Sequence, residues 1–155
     1  MLTARLRQRV RSATPIRIGR LFGHALEWHK KSSDGSGKCN AESTGRNEDV
    51  VWGVLFEIEL SEKPALDRAE GLGNGYIERQ VEITTDRGNV TATAYIATTK
   101  DSSLRPYHWY KAFVVAGAKE HELPQDYLRA LKNSPSIPDP DHGRAAENER
   151  LLPTS

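Results

Sequence analysis

Leu66-Asp67-Arg68-Ala69-Glu70-Gly71 puts a carboxylate directly before a glycine. Glycine adopts the left-handed conformation that ends many helices, so Glu70 falls in the last turn of a helix stopped by Gly71. There a carboxylate faces the negative end of the helix dipole, which costs about 0.3–1 kcal/mol and favours the protonated form. Ordinary helices place Lys or Arg in that turn. If burial acts in the same direction, such a carboxyl exchanges protons near neutral pH and serves as general base and general acid. A solvent-exposed acid at a helix end is the alternative that this pattern leaves open.

Other chemistry-bearing patterns fail on spacing. Gly71-Leu72-Gly73-Asn74-Gly75-Tyr76 lacks the third glycine of a dinucleotide fingerprint and follows a helix where a strand is required. Ser36-Gly37-Lys38-Cys39 ends like a phosphate loop, but the earlier glycine is Ser32 and the required hydroxyl residue is Cys39. His24, His29, His108, His121 and His142 never fall at metal-ligand spacing, so no metal site is expected. Cys39, the single cysteine, has no histidine fixed beside it by spacing and reads as a packed thiol.

The elements that must position Glu70 follow from periodicity. Leu2, Leu6 and Val10 form one stripe of a helix over residues 2–12, with arginines over the rest. Ile16, Ile18, Phe22, Leu26 and Trp28 alternate along one long or bent strand over residues 16–29, with Gly19 and Gly23 marking a bend or a close backbone approach. Ser32 to Gly37 is turn chemistry centred on Asp34-Gly35. Residues 50–60 form the next strand, with Phe56, Ile58 and Leu60 inward. Ser61 reads as an N-cap, and Pro64 lies in the first turn of the helix that Gly71 closes. Residues 76–85 and 89–98 form a hairpin around Asp86-Arg87-Gly88. A helix over 107–120 carries a Gly117-Ala118 pair suited to close packing, and Pro124 opens a last helix with Tyr127, Leu128 and Leu131 inward.

A chain of 155 residues suits one domain, and 37% hydrophobic with 28% charged residues is the composition of a folded body. A single domain is expected over 1–134. Residues 135–155 hold half of the 8 prolines and are expected to form an unpacked, disordered tail. The apolar runs are too short for a membrane span, and one unpaired cysteine suits a reducing cytoplasm. A net charge of +1 gives no global pull toward nucleic acid. The one asymmetry is Arg5, Arg7, Arg9, Arg11, Arg17 and Arg20 without an acid among them, which reads as a solvated helix face, a basic arm or a transit peptide. Helix, strands, helix, hairpin and two helices together make an α+β domain with an antiparallel-rich sheet.

Taken in order, Leu66–Gly71, Gly75-Tyr76, the loop Ser33–Asn40, Trp52-Gly53-Val54-Leu55, Tyr110, Gly117–Glu120 and Leu123-Pro124 resemble the γ-glutamylcyclotransferase family of AIG2-like folds. The resemblance runs from Met1 to about Leu131. It implies a small mixed, antiparallel-rich β-barrel flanked by helices, no cofactor, and conversion of γ-glutamyl amines or amino acids to 5-oxoproline. It places the catalytic glutamate at Glu70 and substrate contacts at Tyr110, Tyr76 and Tyr95. Met1-Leu2 resembles the end of the family's Tyr-Gly-Ser-Asn loop, whose backbone N–H groups hold the glutamyl end, and the strand leading into that loop is missing. A natural start upstream of Met1, or a short form of doubtful activity that pairs an open sheet edge into a homodimer, follows from that departure. A non-catalytic binding or assembly module that keeps the barrel is the competing function. The expected partner is a small γ-glutamyl substrate, with no nucleic acid and no membrane.

Overall fold

Five residues are too few to sustain a helix alone, so tertiary packing sets the length of the first one. In the computed structural model, which describes residues 1–153, α1 spans Thr3–Arg7 and stops short of the expected position 12. The chain then tightens so that Val10 and Ala13 bury fully with Leu6 against Phe56, Ile58 and Leu66. Leu2 goes elsewhere, into a cluster with Tyr107, Trp109 and Phe113. Glu120 stands in for the missing N-cap, accepting the Thr3 N–H at 2.9 Å.

The long strand expected over 16–29 breaks in two at Gly23, whose φ of 71° lies in the left-handed region. β1 (Thr14–Phe22) belongs to a four-stranded antiparallel sheet, and β2 (His24–Lys31) turns away to pair with β3 (Gly37–Ser43). Ile18, Leu26 and Trp28 keep the inward face, whereas Ile16 and Phe22 are exposed. A bulge between Pro15 and Arg17 displaces Ile16 from the alternation. Gly19 supplies the close approach: a Cβ there would lie 2.3 Å from Ile83 Cγ2 on the neighbouring strand. β3 has no β-branched residue and reads from sequence as loop. Asn40 anchors it by accepting the Ala97 N–H at 2.8 Å through its side chain.

β4 (Val50–Glu57) ends earlier than expected, and a 3₁₀ turn at Leu60–Glu62 carries Leu60 out to 86% exposure. Glu62, and not Ser61, is the N-cap of α2 (Lys63–Glu70), with Pro64 in the first turn and Gly71 closing the helix at φ 71°. β5 (Tyr76–Thr85) and β6 (Gly88–Ala97) form the expected hairpin. The sheet order is β4-β1-β5-β6 beside β2-β3. The six strands among the described residues make two adjoining sheets, the antiparallel-rich arrangement expected, left open as a barrel because β2 and β3 meet β4 and β6 without a continuous hydrogen-bonded ladder.

α3 (His108–Glu120) and α4 (Gln125–Asn133) cover the sheets, with Tyr127, Leu128 and Leu131 facing Ile18, Leu26, Trp28 and Trp52. Residues 135–153 are not an unpacked tail. Ile137 exchanges backbone hydrogen bonds with Pro106 and His108 at 3.0 and 2.9 Å, and α5 (His142–Glu149) follows. Asp139 is 4% exposed and receives Trp109 Nε1–H at 2.8 Å together with the Arg144 guanidinium. Composition registers the prolines but not these side-chain partners. Residues 154 and 155 of the expected tail lie outside the described residues.

Candidate active site

α2 is fixed from both ends. At its C-terminus the Gly71 and Leu72 N–H groups donate back to Arg68 and Asp67 carbonyls at 3.1 and 2.9 Å. On its outer face Lys63 bridges Asp67 and Glu78, and Tyr95 Oη donates to Asp67 Oδ1 at 2.6 Å. The helix is thereby clamped to the β5–β6 hairpin. Tyr95 belongs to this clamp and does not line the cavity described next, although the resemblance expects a substrate contact of it. It stands opposite Glu78, two pairs further along the hairpin than Tyr76 and Ala97.

The clamped helix delivers Glu70 into a cavity of about 400 Å³ whose wall also holds Met1, Leu2, Tyr76 and Tyr110. The Glu70 side chain is 19% exposed, with Arg9 Nη1 3.6 Å from Oε1. Burial raises the carboxyl above its ordinary value, and the positive charges of Arg9, Lys30 and Arg5 pull against it without cancelling it. The helix C-terminus adds to the upward push. Of the two possibilities open at the sequence level, the buried carboxylate is the one realised.

Tyr76 and Tyr110 converge on one residue of β3, Cys39. Tyr76 Oη donates to the Cys39 carbonyl at 2.8 Å, and the Cys39 N–H donates to Tyr110 Oη at 3.1 Å. Burial pushes both phenols up, so they stay neutral and act as hydrogen-bonding groups. Burial likewise pushes the Cys39 thiol up to about 12, which leaves it protonated at neutral pH.

Met1 and Leu2 form the opposite wall because Gly117 lets them in. A Cβ at Gly117 would lie 2.7 Å from both Leu2 N and Met1 C, so only glycine permits this approach of α3 to the N-terminal backbone. The close packing expected at Gly117-Ala118 is realised there.

Four cavity residues escape the sequence reading as site residues: Arg5, Arg9, Lys30 and Lys38. The acid-free arginine run was the available signal for the first two. Lys38 is positioned by the Asp34-Gly35 turn. Asp34 Oδ2 accepts its ammonium at 2.8 Å, while Oδ1 accepts the Ser36 N–H and hydroxyl. Burial opposes ionisation of Asp34, but the hydrogen bonds from Lys38 and Ser36 outweigh it and pull the carboxyl down to about 2. Among the described residues no three His, Cys, Asp or Glu side chains converge on a point that could hold a metal ion.

An α+β domain that presents a part-buried carboxylate to a cavity from a helix end matches a known class. The model of the AIG2-like family fits residues 50–131, the stretch that carries Glu70, Tyr76, Tyr95 and Tyr110, and the chain belongs to that family. Gamma-glutamylcyclotransferase of Homo sapiens is 31% identical over 140 residues, covering 85% of this chain and 72% of its own. The Bos taurus gamma-glutamylcyclotransferase is 31% identical over 141 residues, covering 86% and 73%. A solved gamma-glutamyl cyclotransferase structure superposes with a TM-score of 0.85 at 28% identity, over 97% of this chain and 91% of that one. That superposition includes the N-terminal segment and β3, which lie outside the family model.

Proposed function

We propose that this chain is a γ-glutamylcyclotransferase, acting on a small γ-glutamyl compound with Glu70 as its proton-transfer residue. The observation that carries the reading is the burial of Glu70 within the cavity, at a helix C-terminus, with its pKa raised. The substrate's own α-amine attacks its side-chain carbonyl carbon, forming the C–N bond of a five-membered lactam. Glu70 accepts the proton that the attacking ammonium gives up. It then delivers that proton to the departing nitrogen as the original amide C–N bond breaks, releasing 5-oxoproline and the free amine or amino acid. No water is consumed, and the nucleophile and carbonyl belong to one molecule, so folding the substrate into a reactive conformer supplies much of the acceleration. Tyr110 on α3 and Tyr76 on β5, both hydrogen-bonded to Cys39 of β3, frame the reacting groups, and the Met1–Leu2 backbone, held against Gly117, takes the glutamyl end.

A raised pKa suits a group that must be a base in one step and an acid in the next. The same reading carries a cytoplasmic location and a homodimer through an open edge of the four-stranded sheet. Among the described residues no helix is long and apolar enough to cross a membrane. The test is release of 5-oxoproline from γ-glutamyl-alanine by the wild-type chain and its loss in Glu70→Gln. Turnover that is indifferent to Glu70→Gln refutes the assignment.

A further inference from the structure

Where β3 adjoins β6 no ladder joins the two sheets, and the side chain of Asn40 bridges them instead. Asn40 is 2% exposed. The Ala97 N–H can only donate, so the amide oxygen of Asn40 faces it and the amide nitrogen is turned the other way. That nitrogen donates to Glu42 Oε2 at 2.8 Å and meets His29 Nε2 at 3.1 Å. The imidazole therefore accepts, which requires a neutral ring with its proton on Nδ1. Asn40 also follows Cys39, the residue that Tyr76 and Tyr110 both bond, and Tyr76 pairs with Ala97 across β5 and β6. Asn40, Ala97, Tyr76 and Cys39 thus close a circuit around one wall of the cavity.

A bulge in β2 brings His29 to this circuit. The β2–β3 register passes from Glu27 against Asn40 to Lys30 against Lys38, so Trp28 and His29 together oppose Cys39. Trp28 packs into the core, while the His29 ring, 12% exposed, is aimed at Asn40. From β3, Glu42 Oε2 lies 3.3 Å from Nε2, and Lys100, in the segment after β6, holds Glu42 at 2.7 Å. Asp101 in the same segment donates its N–H to the His29 carbonyl, but its carboxylate is taken by the Ser103 N–H and hydroxyl, with Lys31 of β2 nearby. Protonation would break the circuit at one point. An imidazolium donates from both nitrogens, so Nε2 turns its proton to Glu42 and leaves the Asn40 N–H facing a donor. A buried donor that loses its acceptor is costly, so Asn40 must shift, and Ala97 and Cys39 are bound to it.

We propose that His29 and Asn40 are positioning residues for Tyr76 and Tyr110, and that the tyrosine pair keeps its working geometry only while the His29 ring is neutral. The inference rests on the cyclotransferase reading of Glu70 and adds to it a control that acts through β3. Neither residue lines the cavity, so both act on the site through Cys39 and Ala97.

The experiment titrates the full chain between about pH 5 and 8, where histidine changes charge. Two-dimensional NMR follows the His29 ring, the Asn40 side-chain amide and the backbone N–H groups of Ala97 and Cys39. In wild type all four are expected to move with one midpoint. In His29→Gln, whose side chain accepts from Asn40 without titrating, the three amide signals should lose that transition. Glu42→Gln should carry the shared midpoint to lower pH, because the carboxylate favours the imidazolium, and it stands in for His29→Gln if that variant fails to fold. The second readout is kcat/KM for release of 5-oxoproline from γ-glutamyl-alanine. Acidification should cost wild type about tenfold beyond the one-proton limb of Glu70, the scale of one lost hydrogen bond, and His29→Gln should lose that excess. Amide signals indifferent to the His29 ring overturn the proposal, as does an excess equal in wild type and His29→Gln. If wild type releases no 5-oxoproline at any pH, the cyclotransferase reading fails and the NMR titration decides alone. Amides that share the His29 midpoint then support the circuit, and amides that ignore it overturn it.

Discussion

Arg9→Gln isolates the electrostatics of Glu70. The two charges lie 3.6 Å apart, and Coulomb's law gives about 4.6 kcal/mol at an effective dielectric of about 20 and about 1.2 kcal/mol in bulk water. The Arg9 side chain is 34% exposed, which places the pair toward the solvated limit, at about 1.5 kcal/mol or about one pKa unit. Arg9 favours the ionised carboxylate, so removing it leaves burial less opposed and moves the Glu70 pKa further up. Glu70 must be ionised to accept the first proton. The rate therefore falls as pH drops through its pKa, and the acid limb of kcat/KM moves to higher pH by about one unit in the variant. The assay is a pH profile of 5-oxoproline release, run for wild type, Arg9→Gln and Arg9→Lys. Because kcat/KM reports the free enzyme, a contact between Arg9 and bound substrate changes the height of the profile and not the position of its limb. A limb that stays in place, moves to lower pH or shifts equally in Arg9→Lys refutes the reasoning.

Glu70→Gln should lower turnover by about 10²–10⁴-fold. A carboxyl with a raised folded pKa makes stability fall as pH rises through the window above its ordinary value, so the melting temperature of wild type minus that of Glu70→Gln should decrease with rising pH there. Asp139 behaves in the opposite sense. Its hydrogen bonds from Arg144 hold the carboxyl far below the usual range against the cost of burial, so its stabilisation is present above pH 4–5 and is lost on acidification. Asp139→Asn should therefore cost about 2 kcal/mol in urea unfolding at pH 7, and wild type and variant should converge at low pH. Gly117→Ala forces a methyl against the Met1–Leu2 backbone and should destabilise the chain by about 1–3 kcal/mol, with a rise in KM if that wall takes the glutamyl end as proposed. In Tyr95→Phe the Asp67 carboxylate loses its phenol hydrogen bond. Turnover should then fall several-fold through a loosened α2.

What the sequence reveals of the site is what local chemistry determines. Gly71 ends α2 through its own backbone conformation, and that alone puts Glu70 at the helix terminus. Whether Glu70 is buried depends on Arg9, Lys30 and Tyr76, which no spacing links to it. Tyr95 shows the same limit from the other side. Alternation puts it on the same face of the hairpin as Tyr76, but two pairs further along, which is enough to take its hydroxyl to Asp67 and out of the cavity. Lys30 reads as one more charged residue in a polar stretch until the bulge in β2 and the missing side chain at Gly75 give it a direction. The C-terminal segment misleads for a related reason. Pro135, Pro138 and Pro140 remove backbone donors and suggest an unpacked chain, yet Asp139 among them is buried by bonds to Trp109 and Arg144. The docked segment reaches the cavity through two neighbours. Trp109 packs edge-on to Tyr110 at 6.0 Å between ring centroids, and Asn148 meets Arg5. Local rules thus fix where the helix-end carboxylate stands, while long-range partners set the charge and shape of the space around it.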